Sequence, residues 1–391
     1  MHKQLSFDLV CFSNSRWDYL FDRPHHLMVC AANERRVFFV EEPQFGAEID
    51  TIEENKNETG VIVITPKLKG QAGNEADTAE RMSALTSQIF QKVDTRYVLW
   101  FYSLSATRWT QNLEPLAVVY DCITEPSSLH NEQLSALEHE LLGRSSVVFT
   151  GGQSLYESKF SQHPNVYPFP NRVSIADFHQ ARSEQADAAD QKEIPHPRLG
   201  FVGKIDARLD FGLVAKVAAE KPEWHQIFVG PIEIDEEMLP KAQNIHYLGP
   251  KEYSALPQII SGWDVAMIPF AENDLTRFLN PKKTSEYLAC GVPVVSTAIP
   301  DVVRPYSLKG LLRVADSPDK FIESCQTSLD NGAPVTQEDI DNFLQKASWD
   351  DTWHKMSCLL KETIRASAGE QLNSKSAEDL RTFDTRTASN T

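Results

Sequence analysis

The sequence predicts an α/β protein built from two doubly wound, Rossmann-like domains facing across a cleft. Three observations carry this. Short apolar runs rich in β-branched and aromatic residues recur between helix-length segments. The runs are continuous rather than alternating, as in parallel strands covered on both faces. They also fall into two series, split by a polar stretch, in a chain of 391 residues, which suits two domains of ordinary size.

In the first half the predicted strands are 7–12, 37–40, 61–64, 97–101, 117–120 and 147–149. In the second half they are 199–202, 226–229, 245–248, 265–268, 294–296 and 311–314. Residues 180–197 are polar and end in Pro195-His196-Pro197, so they read as a linker or exposed crossover. The expected division is therefore 1–178, a linker 179–198, a second domain 199–347, a C-terminal helix 348–365 crossing back to the first domain, and a disordered tail 366–391.

Composition narrows the function. A net charge of −17 disfavours nonspecific nucleic-acid binding, which needs cations to neutralise phosphates. The six cysteines are scattered with no C-x-x-C pair, so neither a disulfide framework nor a zinc site is expected. No apolar run is long enough to span a bilayer, and residues 1–6 lack a secretory apolar stretch. A cytoplasmic protein is expected, and peripheral contact with the inner face of the membrane is compatible with it. No G-x-G-x-x-G follows the first strand, and neither a P-loop, H-E-x-x-H nor G-x-S-x-G occurs.

Residues 280–296 are the most informative stretch. Asn280 can cap a helix with Pro281 at its first position, Gly291 can end it, and Pro293 forbids continuation before Val294 and Val295 enter a strand. Lys283 and Glu286 project from one face. A helix N-terminus beside a lysine suits a diphosphate, and a carboxylate one turn deeper can accept ribose hydroxyls. The same spacing also describes an ordinary solvated ion pair.

The pattern Pro281-x-Lys283-x-x-Glu286, then Gly291-x-Pro293-Val294-Val295, resembles the GT-B glycosyltransferases, especially those like family 4. Phe169-Pro170-Asn171-Arg172-Val173 and Asp177-Phe178 resemble the joint that closes their N-terminal domain, with Arg172 in place of glycine. Arg16-Trp17-Asp18, Arg23-Pro24-x-His26, Val40-Glu41-Glu42-Pro43 and Val119-Tyr120-Asp121-Cys122 resemble a bacterial surface-polysaccharide subgroup of the teichuronic-acid and exopolysaccharide type. Phe278 stands where the family often carries a second glutamate, eight residues before Glu286.

The resemblance implies metal-independent transfer of a sugar from a nucleotide-diphosphate donor, UDP favoured and GDP the alternative, to a glycan or lipid-linked glycan, with no cofactor. The candidates for the diphosphate are Lys283, Arg208, Lys204 and Gly203, and for the ribose Glu286. The base would be cradled near Gly230-Pro231 and Tyr247-Leu248-Gly249. Asp121, at the end of an apolar strand, and His26 are the candidate proton acceptors, with Glu125 an alternate to Asp121. Arg16, Trp17, Arg23 and His25 form the candidate acceptor loop, together with the rings of Tyr19 and Phe21. Competing readings are an epimerase of the same fold and a non-catalytic sugar-nucleotide binder, the latter favoured by Phe278.

Overall fold

The computed structural model describes residues 6–19, 21–129, 131–183, 187–345 and 348–369. The chain forms two units. The first runs to Phe169 and resumes at Trp349, and the second is Pro170–Ser348.

The first unit holds β1 (Asp8–Ser13), β2 (Val37–Glu41), β3 (Gln44–Ala47), β4 (Thr51–Lys56), β5 (Ile62–Lys69), β6 (Tyr97–Phe101), β7 (Ala117–Cys122), β8 (Val147–Thr150) and β9 (Val166–Pro168). Their order is β3-β5-β2-β1-β6-β7-β8-β9, with β4 antiparallel on β5. The central strands β1, β2, β7 and β8 are buried at every position, which is why they read as unbroken apolar runs. β3 and β4 escape that reading. Glu53, Glu54 and Lys56 are exposed on β4, and charge is how an edge strand avoids pairing with another chain.

The C-terminal helix Trp349–Ser367 belongs to this first unit. Trp353, Met356, Leu360 and Ile364 join the core that contains Leu9, Trp100 and Phe149. It therefore continues past the predicted end at 365, and the predicted tail from residue 370 onward lies outside the described residues.

The second unit holds β10 (Arg198–Val202), β11 (His225–Val229), β12 (Ile245–Tyr247), β13 (Val265–Ile268), β14 (Val294–Thr297) and β15 (Arg313–Ala315). All pair in parallel, in the order β12-β11-β10-β13-β14-β15. The strand order reverses between β10 and β13, and ligands of open α/β sheets bind outside the carboxyl ends of the strands at that reversal.

The predicted boundary is corrected at one point. The described residues of the expected linker, 180–183 and 187–197, are partly buried rather than an exposed crossover. Ala181, Ala188 and Ile194 enter the second core, and the buried Arg198 guanidinium holds the Ile194 carbonyl at 2.7 Å and Asp187 at 2.6 Å. Phe178 also packs there, edge-on to Tyr253 at 5.6 Å. The polar residues of this stretch hide a sparse set of apolar anchors. Among the described residues, no helix is long and apolar enough to cross a membrane.

Candidate functional site

The second unit assembles the site around the helix Lys282–Cys290. Its N-cap is Pro281 in an extended conformation, not Asn280 as expected, and no side chain caps it. The Asn280 carbonyl accepts the Asn171 side-chain amide at 3.2 Å. The C-terminus is as the sequence indicates. Gly291 adopts φ +83°, and its N–H donates to Leu288 at 3.0 Å.

Tyr287 registers this helix against the sheet. Its phenol oxygen accepts the Val202 N–H at 2.7 Å, so the end of β10 is tied to the middle of the helix. The next residue after Val202 is Gly203. A Cβ there would lie 2.2 Å from Lys283 Cε and 2.6 Å from Nζ. Gly203 therefore makes room for the Lys283 chain, whereas Gly200 makes room for the Trp263 ring, 1.9 Å from its own virtual Cβ. A third glycine continues the close packing, since a Cβ on Gly230 would meet the Gly203 carbonyl at 2.0 Å. The Gly230 N–H in turn donates to Gly249 at 2.9 Å. Three of the residues expected around the donor thus line the carboxyl ends of β10, β11 and β12 as bare backbone.

The loop after β10 is pinned to the loop after β13. Asp210 N–H donates to Pro269 at 2.9 Å and Ala271 N–H to Arg208 at 2.8 Å. Arg208 itself is engaged by Asp206, with Nε–Oδ1 at 2.8 Å and Nη2–Oδ2 at 2.6 Å. Lys204 pairs with Glu233 at 2.8 Å. Lys283 rests with Nζ 5.8 Å from the Phe201 ring centroid. One turn on, Glu286 is buried, and its Oε1 accepts the Tyr253 hydroxyl at 3.2 Å and meets the Lys282 ammonium at 3.4 Å. A helix N-terminus, an ammonium and bare backbone can hold a diphosphate, and a carboxylate one turn away can take a vicinal diol.

In the first unit the expected acceptor residues divide sharply. Arg23 and Asp121 do not face solvent. Arg23 Nε lies 3.0 Å from Asp121 Oδ2 and Nη2 lies 2.8 Å from Oδ1, while the Tyr102 hydroxyl donates to Oδ2 at 2.7 Å. Both ionic groups are sealed and satisfy one another, which corrects Asp121 as a proton acceptor and Arg23 as a ligand for the acceptor. Arg23 also donates to the Phe169 carbonyl at 2.5 Å. His25 is corrected likewise. It is fully buried, its Nδ1 accepts the Asp22 N–H at 3.1 Å as half of a capping box, and Nε2 lies 3.1 Å from the Arg16 carbonyl. Glu125 is spent on Lys159 at 2.7 Å.

Arg16, Trp17 and His26 remain half-exposed. Glu41 organises the loop, accepting from Arg16 at 3.0 Å and from the Trp17 N–H at 2.8 Å. His26 stacks on Trp349 at 4.7 Å and 7°. Tyr19 is 63% exposed. One carboxyl group carries no role in the sequence reading. Glu42 follows β2 and accepts the Ser103 hydroxyl, which places it beside the β1–β6 reversal. Burial pushes its carboxyl pKa up, against the opposing pull of Ser103 and Arg16. The adjacent Glu41-Glu42 pair gave no means of telling the loop anchor from the carboxyl beside Ser103.

Residues 196–331 match the family model described as glycosyl transferases group 1. A Bacillus subtilis protein named as a teichuronic acid biosynthesis glycosyltransferase, TuaH, is 27% identical over 175 residues, covering 43% of this chain and 42% of the relative. The match thus spans less than half the length of that relative. Among solved structures, sucrose-phosphate synthase from Thermosynechococcus elongatus superposes with a TM-score of 0.72 at 13% identity, covering 92% of this chain and 100% of that one. HepE of Anabaena, in complex with UDP and glucose, superposes with a TM-score of 0.68 at 13% identity, covering 91% and 99%. At such identities the structural likeness speaks for the fold.

Proposed function

We propose, for a chain that is of the GT-B glycosyltransferase type with its group 1 domain at residues 196–331, transfer of a sugar from a nucleoside-diphosphate sugar to a glycan or lipid-linked glycan of a surface polysaccharide. The donor is a UDP-sugar in preference to a GDP-sugar. The observation that carries this reading is the insertion of Lys283 over Gly203, at the open end of a helix whose next turn presents Glu286. The HepE complex with UDP and glucose supports a UDP donor on this fold.

In this reading the donor's diphosphate lies at the N-terminus of the Lys282–Cys290 helix. Lys283 neutralises the charge that grows as the sugar departs, which is where electrostatic stabilisation contributes most to rate. Glu286 takes the ribose hydroxyls. No metal is invoked, so chelation with EDTA should leave transfer intact. On the acceptor side Glu42 replaces Asp121 as the proposed proton acceptor, and Arg16, Trp17 and His26 stay as the proposed acceptor contacts.

The test is release of nucleoside diphosphate from UDP- and GDP-sugars, with and without glycan and lipid-linked acceptors. Acceptor-dependent release supports transfer. Neither binding nor release with any donor would overturn it. Phe278, which caps the short helix Asp274–Arg277 with the Arg277 guanidinium 5.3 Å over its ring, favours a second reading, a binder without transferase activity. Donor binding without turnover across the acceptor panel would select that reading.

A further inference from the structure

The Glu286 carboxylate is held from one side only. Both of its contacts among the described residues fall on Oε1: the Tyr253 hydroxyl at 3.2 Å and the Lys282 ammonium at 3.4 Å. Oε2 has no hydrogen-bond partner among the described residues, and the Glu286 side chain as a whole is 4% exposed.

Tyr253 is itself fixed on two further sides. The edge of Phe178, a fully buried ring, meets it at 5.6 Å and 77°. The Lys282 ammonium stands 4.9 Å from its ring centroid. Lys282 thus touches both the ring and the carboxylate, and its side chain is only 18% exposed. A cation over an aromatic face and beside a carboxylate draws the three groups together. The result is a carboxylate with one oxygen anchored and the other presented.

We propose that Tyr253 and Lys282 are positioning residues that orient Glu286, and that this orientation sets the preference of the site for a ribose over a deoxyribose. The inference rests on the donor-site reading above and deepens it. A carboxylate free to rotate can be satisfied by water and discriminates weakly. One locked by a hydrogen bond and an ion pair presents Oε2 at a set angle, and a missing hydroxyl then leaves a buried acceptor unpaired.

The experiment is calorimetric titration of the full chain with UDP, GDP and their 2′-deoxy and 3′-deoxy counterparts, on wild type, Tyr253→Phe and Lys282→Met. Wild type should prefer the ribonucleotide to at least one deoxy form by about tenfold or more. In Tyr253→Phe that ratio should fall to about two- to threefold, with affinity for the deoxy form nearly unchanged, because one anchoring hydrogen bond is gone. Lys282→Met should move the ratio the same way. A purely structural role would lower both affinities together and leave the ratio alone. Thermal melting of each variant separates misfolding from loss of discrimination. An unchanged ratio in both variants, or a wild type that binds without discriminating, overturns the inference while leaving the donor site in place. If none of these nucleotides binds wild type, the donor-site reading itself falls, and this inference with it.

Discussion

At the scale of single residues, the decisive contrast lies between charges that are spent and charges that are presented. Asp121 and Arg23 neutralise each other in the interior. Removing one partner of a buried pair strands the other, which typically costs about 3–5 kcal/mol. Arg23→Met should therefore show a large drop in urea midpoint, and Asp121→Asn should lose stability before any question of turnover arises. Lys283→Ala should slow transfer by more than it weakens donor binding, which single-turnover kinetics against calorimetry would separate. Glu42 gives a pH signature. Burial raises its carboxyl pKa, so its basic form is lost as pH falls through a value above that of an ordinary glutamate. The acid limb of the pH–rate profile should sit correspondingly high, and Glu42→Gln should abolish it along with most of the turnover. That Lys283 and Glu286 lie a turn apart on one helix was readable in advance from their spacing. Asp121 was not, because its partners Arg23 and Tyr102 are distant in the chain and only the fold unites them.

At the scale of elements, continuous apolar strands were readable from composition, and so was the Gly291 terminus. Edge strands were not. β4 is almost entirely exposed, so nothing in its side chains reports a strand, and its pairing with β5 is a matter of backbone alone. Residues 187–197 misled for the opposite reason, since a few apolar anchors and one buried arginine suffice to dock a polar segment. A further element-level device is the sealed Lys159, which bridges Glu125 and Glu138, both at 2.7 Å, with Tyr120 donating to Glu138 at 2.8 Å. It ties the loop after β7 to the helix Glu132–Arg144. Lys159→Met leaves two buried carboxylates facing one another and should destabilise by about 3 kcal/mol or more, measured by denaturant unfolding. Lys159→Met with Glu125→Gln and Glu138→Gln should recover much of that loss.

At the scale of the whole molecule, the first unit is discontinuous in sequence, closed by a helix from the far end of the chain. Trp353 meets Trp100 at 5.9 Å, and its indole N–H donates to Glu34 at 3.2 Å. Cutting the chain before Trp349 should leave the first unit with an exposed apolar face, read as dye binding and loss of near-ultraviolet signal, while the second unit keeps its own cooperative transition.

The same discontinuity bears on how the protein is made. The ribosome delivers residues 6–169 before 349–367, and their core stays incomplete until the latter have emerged, whereas the described core of Pro170–Ser348 includes no residue beyond 348. The lobe synthesised first is thus the one finished last, and during the interval a nascent β-sheet stands with one flank bare, a natural client for a chaperone.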